Sequence, residues 1–251
     1  MINVLINLLV NYGLWIMDYT TEGTILIFNY TFNSLLDNYI FPDGITDIIF
    51  GNLFNQTVIS ANLPINLKTI SFGYYYNQNI ISANLPQNLK MISFGICFNQ
   101  SIISANLPNN IEVLSFESAF NQSIKSANLP NNLKILSFGP YFDQNIINVN
   151  LPNNLEALSF GLRFNQSIIS ANLPNNLKSI SFEMCFSLSI ISANLPNNLK
   201  SIIFGCMFNQ NIISANLPHN LDVVLISPSY PQIFQILLKR YHSDFVLISP
   251  L

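Results

Sequence analysis

Between residues 32 and 229 the apolar and polar positions recur on a fixed beat of 22 residues. Each beat opens with an aromatic residue and a short polar one, as in Phe54-Asn55, Tyr76-Asn77, Phe98-Asn99, Phe120-Asn121, Phe142-Asp143, Phe164-Asn165, Phe186-Ser187 and Phe208-Asn209. It then runs through apolar positions to a Leu-Pro pair and ends in a short alternation such as Ile70-Ser71-Phe72. Pro42, Pro64, Pro86, Pro108, Pro130, Pro152, Pro174, Pro196 and Pro218 all fall at one position of this beat, which marks nine units. Self-similarity at such a period signals stacked coils. The alternation within Leu67 to Gly73 has the period and length of a short strand, so the pattern predicts one strand per coil. Twenty-two residues cannot also hold two turns and a full helix, and the proline after Asn-Leu would break a helix. The return path is therefore predicted to be extended or turn-like.

The flanks keep the same register. Asp222 to Pro228 returns 22 residues later as Asp244 to Pro250, with Arg240 at the proline position. Leu26 and Phe28 stand one period before Ile48 and Phe50, and Val10-Asn11 stands where Phe-Asn is expected. This predicts a single solenoid domain over 1–251: a degenerate N-terminal coil or cap (1–31), nine repeats (32–229) and a C-terminal capping helix with a last strand (230–251). The helix is read over Pro231 to Tyr241, from proline at its start, Ile233, Phe234, Leu237 and Tyr241 on one face, and Lys239, Arg240 and His242 at its C-terminal end. Residues 2–6 fit a further strand or a capping helix equally well. Residues 1–17 carry no charge, but no Lys or Arg occurs before Lys68 and Asn3, Asn7 and Asn11 interrupt the apolar run, so we read neither a signal peptide nor an anchor.

Each column of the repeat has a predicted role. The residue after each aromatic is always short and polar, the property of a ladder that satisfies backbone groups from coil to coil. Before the strand stands Asn-Asn in most units and Asp43-Gly44 in the first, and glycine replacing asparagine predicts a left-handed backbone there. Lys90, Glu112, Lys134, Glu156 and Lys178 alternate in sign at the strand start, a device against slippage by a whole coil rather than a binding patch. Leu36, Val58, Ile80, Ile102 and Ile124 are always apolar and are predicted to face the core. The next position admits Asp37 and Lys125, so Ile59, Ile81, Ile103, Ile147, Ile169, Ile191 and Ile213 are predicted to form a partly exposed apolar stripe, an interaction or self-association face.

Composition narrows the function. Half of the 251 residues are hydrophobic, which excludes disorder and allows a sizeable core. Nine basic and twelve acidic residues give a net charge of -3, which offers no footprint for nucleic acid or an anionic membrane. Cys97, Cys185 and Cys206 suit neither a disulfide framework nor a zinc site; they read as buried free thiols in a reducing, cytoplasmic compartment. His219 and His242, the two histidines, would lie on adjacent coils and read as solvated turn residues rather than a metal or proton pair. No paired carboxylates, nucleophile with base or phosphate loop is present, so no enzyme, cofactor or metal is expected. Of the five glycosylation sequons, at Asn29, Asn55, Asn99, Asn121 and Asn165, four are ladder positions and are read as accidents of the repeat.

The pattern aromatic-Asn-x-x-Ile followed by Leu-Pro-x-x-Leu-Lys-x-Ile-x-Phe-Gly, as from Phe164-Asn165 through Leu173-Pro174 to Phe182, resembles the FNIP repeat family, 22-residue relatives of the leucine-rich repeats. The resemblance implies a leucine-rich-repeat-like solenoid, mostly β and loop, curved, with one parallel sheet on its concave side. It implies no catalytic activity, and hosts among amoebae and the giant viruses that infect them, hence a host-cell cytoplasm if viral. Many relatives carry an F-box-like segment and are thought to serve ubiquitin ligases; the 31 residues before the repeats are too few for that module. The expected function is thus a non-enzymatic scaffold binding an unknown partner protein through the concave face. Its preferred patch is Met91, Val113 and Ile135, where the outward column varies, with Glu117, Arg163 and Glu183 at the strand exit. Two alternatives stand beside it: self-assembly through the Ile stripe or the solenoid ends, as a homo-oligomer, and a ligase adaptor without its own F-box.

Overall fold

The computed structural model describes residues 19–212, 214–219, 221 and 223–226. They form one eleven-stranded sheet in chain order, β1 (Tyr19–Glu22), β2 (Ile25–Phe28), β3 (Asp47–Ile49), β4 (Thr69–Ser71), β5 (Met91–Phe94), β6 (Val113–Phe116), β7 (Ile135–Ser137), β8 (Ala157–Phe160), β9 (Ser179–Phe182), β10 (Ser201–Phe204) and β11 (Val223–Ile226). From β2 onward every neighbour is parallel and offset by one period, Leu26 beside Ile48 and Ile70 beside Ile92. Among the described residues there is no helix. The helix expected over Pro231 to Tyr241, the last strand, Val10-Asn11 and the reading of residues 1–17 lie outside the described residues.

The first strand departs from the repeat. The chain turns at Gly23, whose φ of +62° is left-handed, and β1 pairs antiparallel with β2, Tyr19 beside Phe28 and Glu22 beside Ile25. A hairpin needs only two strands and a tight turn, so β1 covers the outer side of β2 without a full coil.

The core is two columns of rings. Phe from the strand end and the aromatic four residues later lie face to face within each coil, as in Phe94 and Phe98 at 3.9 Å. Each also stacks on its counterpart in the next coil, Phe94 on Phe116 at 5.3 Å and Phe98 on Phe120 at 6.1 Å. Such pairs add about 0.5–1.5 kcal/mol each beyond the area they bury. Leu36, Val58, Ile80, Ile102 and Ile124 are at most 2% exposed and complete the core from the return side.

The polar ladder is continuous. Asn33 Oδ1 accepts from Asn55 N–H, Asn55 from Asn77, Asn77 from Asn99, Asn99 from Asn121, Asn121 from Asp143, Asp143 from Asn165 and Asn165 from Ser187, at 2.8 to 3.0 Å. The Gln that follows adds its amide to the same oxygen, as Gln144 does to Asn121. Four of the sequon asparagines, Asn55, Asn99, Asn121 and Asn165, thereby place their Oδ1 in the ladder.

The turn before the strand corrects one expectation. Gly44 is left-handed at φ +77°, but the described asparagines at its position are not; among the described residues the left-handed non-glycine ones are Ser104, Ser126 and Asn148, on the return side. The asparagines serve a different purpose. Asn88 Nδ2 donates to the Ile65 carbonyl one coil back, and Asn110, Asn154, Asn176 and Asn198 repeat the bond. An amide reaching back to the preceding coil needs the side chain, not a positive φ.

Glycine at the strand exit has a steric cause. A Cβ on Gly95 would fall far inside van der Waals contact with the Gly73 carbonyl, and one on Gly161 inside contact with that of Gly139. The ladder records the consequence. Strands that run into Gly51, Gly73, Gly95, Gly139, Gly161 and Gly205 pair with the preceding strand over three rungs. The strands that run into Glu117 and Glu183 gain a fourth, Phe94 beside Phe116 and Phe160 beside Phe182. β11, followed in sequence by Ser227, also has four. Glycine lets the backbone drop onto the preceding coil one residue early; a residue with a side chain must stay in the sheet for another rung.

Candidate functional site

The outward face of the sheet has two columns. One is the half-exposed row Ser71, Ser93, Ser115, Ser137, Ser159 and Ser181, bounded by Ile49 and Ile203. The other reads Thr69, Met91, Val113, Ile135, Ala157 and Ser179, in register across the ladder. Met91, Val113 and Ile135 therefore adjoin on three consecutive strands, and Ile135 is the most open of them at 40%. A neutral, shallow hydroxyl row beside an apolar rise has no acid, base or nucleophile pair.

The two edges of this face differ. At the strand entry Glu112 is gripped from both sides, by Lys90 at 2.9 Å and Lys134 at 2.6 Å, and Glu156 takes Lys178 at 2.7 Å. The hydrogen bonds from Lys134 and then Lys90 hold the Glu112 carboxyl down to about 2, and the same bond raises the Lys134 ammonium. At the strand exit Glu117 and Glu183 are exposed, and the Arg163 guanidinium lies over the Tyr141 ring at 4.3 Å, a cation–π contact. The exit also carries a ridge that the sequence reading missed: Tyr74, Tyr75, Tyr141, Met184 and Met207 are all exposed large hydrophobic residues. The available signal was variation at the two positions before each core aromatic, from Tyr74-Tyr75 to Ser118-Ala119 to Leu162-Arg163.

Cys97, Cys185 and Cys206 sit on the same exit turns. They are free thiols but half-exposed rather than buried, because these turn positions point away from the ring columns. His219 is an exposed turn residue, and His242 lies outside the described residues. Among the described residues no group of three metal-ligating side chains occurs, and no helix is long and apolar enough to cross a membrane.

On the return side Ile59 and Ile191 are exposed, and Ile81, Ile103, Ile147 and Ile169 are half-buried; Ile213 lies outside the described residues. Between the Ala-Asn-Leu turns runs a trench of about 520 Å³ lined by Leu107, Leu129, Leu151 and flanking asparagines. A neighbouring hollow of about 350 Å³ shares Asn150, Leu151 and Asn153 with it. Neither is lined by a titratable group, so neither supports acid–base catalysis.

With the repeated Phe-Asn ladder and Leu-Pro return in place, the FNIP Repeat matches at residues 54–97, 98–141, 120–163, 142–185, 164–207 and 186–227, more than half the chain. The chain belongs to the FNIP repeat family. This FNIP solenoid is also similar to a solved structure from a giant virus, CroV588, described as a novel circular LRR protein, at 32% identity and a TM-score of 0.58. The similarity covers 84% of this chain and 41% of that one, so the chain spans about two fifths of that protein's length. No curated protein matches it. The FNIP repeats thus form a leucine-rich-repeat-like solenoid, an architecture consistent with a protein-interaction scaffold and typical of non-enzymatic ones.

Proposed function

We propose that this FNIP solenoid is a non-enzymatic scaffold that holds another protein against its concave sheet face. Met91, Val113 and Ile135 provide the apolar contact, and Glu117, Arg163 and Glu183 border it at the strand exit. One observation carries the reading: the outward column is small or hydroxylated at Thr69, Ala157 and Ser179 but becomes a contiguous apolar rise over β5 to β7. Binding energy concentrates in such few, central, desolvating side chains, while a uniform serine row excludes water without discriminating. The exposed aromatic and methionine residues of the exit ridge extend the same face, and methionine adapts to varied partners. The reading includes a cytoplasmic location, where half-exposed thiols stay reduced.

The test is proximity labelling in an amoebal cell with wild type beside a Met91→Ser, Val113→Ser, Ile135→Ser variant whose circular dichroism matches wild type. We expect a specific protein set that the variant loses. An unchanged set would remove this patch from recognition.

A further inference from the structure

The return side carries a row of residues whose charges complement the same row read backwards. Each coil turns there through a carbonyl-to-amide bond three residues on: Leu36 to Tyr39, Val58 to Ala61, Ile80 to Ala83, Ile102 to Ala105 and Ile124 to Ala127. The first residue of each pair is buried; the residue after it stands at the outer corner, and these are Asp37, Ile59, Ile81, Ile103 and Lys125. Asp37, Ile59 and Lys125 are exposed, and Ile81 and Ile103 half-buried. With coils about 4.8 Å apart, Asp37 and Lys125 stand about 19 Å from each other. That exceeds both ion-pair reach and the screening length of about 8 Å. Neither belongs to an ion pair among the described residues.

The row reads negative, Ile, Ile, Ile, positive. We propose that it is a self-complementary interface between two copies of this chain, antiparallel about a two-fold axis beside Ile81. In that register Asp37 of each copy meets Lys125 of the partner subunit, Ile59 meets Ile103 of the partner subunit, and Ile81 meets its own mate. A two-fold interface must be complementary to itself, which this order of charges satisfies. Other antiparallel registers fail on the same charges. An axis at Lys125, the midpoint of the run from Ile59 to Ile191, would set lysine on lysine. A parallel pairing offset by four coils joins one Asp37 to one Lys125 and leaves the other ends open, which builds chains instead of a dimer. Back-to-back pairing leaves both sheet faces free and makes the scaffold bivalent, so two linked weak contacts gain avidity without new ones.

The experiment is sedimentation velocity of the full chain over a concentration series, with Lys125→Asp, Asp37→Lys and the double swap, each checked by circular dichroism. Wild type is expected to show a concentration-dependent dimer. Each single reversal is expected to weaken it more than about tenfold, as close like charges at an interface do. The double swap restores wild-type affinity because it re-forms both ion pairs. A chain that stays monomeric at every concentration overturns the proposal, as does a dimer indifferent to Lys125→Asp or a loss that the double swap does not rescue. Species growing beyond the dimer would replace the two-fold arrangement with the open one.

Discussion

The strand-entry and strand-exit edges border one sheet a few residues apart, yet they are built on opposite principles. At the entry, charge is spent inside the chain: Glu112 holds two lysines and Glu156 holds Lys178. At the exit, Glu117 and Glu183 are exposed, and the neighbouring turn positions change from coil to coil. The entry is regular because opposite charges meet across neighbouring coils from Lys90 to Lys134 and from Glu156 to Lys178. The exit is constrained in its backbone, through the close approach at glycine, and free in its side chains. The proposed recognition lies at the exit, where side chains vary on a fixed backbone.

The largest expected effect breaks the exit backbone. Gly95→Val places a Cβ against the Gly73 and Phe72 carbonyls, atoms that cannot yield, and is expected to cost about 3 kcal/mol or more in urea denaturation. Glu117→Gly at the same position of the next coil is expected to stay within about 1 kcal/mol of wild type and to lose the fourth rung, read as faster amide exchange at Phe116. One turn further on, Asn121→Ala orphans the Asp143 amide and the Gln144 side chain, a loss of about 1–2 kcal/mol. Asn121→Asp keeps the acceptor, as Asp143 does for Asn165 and Gln166, and should recover most of that loss, less the repulsion from Asp143 one coil on.

Within the ring column, Tyr76 carries a buried hydroxyl with no hydrogen-bond partner, and burial pushes its ionisation upward. Tyr76→Phe should raise stability by about 1 kcal/mol, seen as a higher melting temperature.

The smallest effect belongs to the entry edge. The Glu112 carboxyl is held at about 2 in the folded chain against an ordinary 4.5. Its contribution is therefore fully present above pH 4.5 and is lost as pH falls towards 2. Thermal melts should show a shallow decline in that window that Glu112→Gln flattens. High salt should flatten it too, because the pair is solvent-exposed.

The repeat made most of the fold legible. Nine recurrences separate what a coil requires from what it tolerates, so the ring columns, the asparagine ladder and the inward Leu36-to-Ile124 row follow directly from invariance. What was not legible lies where a residue has no counterpart or an uncharacteristic type. The β1 hairpin depends on Gly23, which no other coil repeats. The left-handed turns fall on Ser104, Ser126 and Asn148; serine gives no such signature, and the asparagines before the strand, which do, use their amides instead. The half-exposure of Cys97, Cys185 and Cys206 follows from turn geometry that a small apolar residue type does not announce. Variation alone marks Met91, Val113 and Ile135 as a candidate patch, and the register places them side by side. The exit ridge was equally variable, and only the exposure of Tyr75 and Met207 separates it from the core.

The difference between the edges is tested most directly by reversing charge on each and measuring capture of the labelled partner set. One variant swaps the entry row as a block, Lys90→Glu, Glu112→Lys and Lys134→Glu, which preserves the alternation among those three; the other reverses the exit with Glu117→Lys and Glu183→Lys. We predict that both fold, that the entry swap retains the partner set, and that the exit reversal loses it. Retention by the exit variant with loss by the entry variant would contradict the account and move recognition to the charged row.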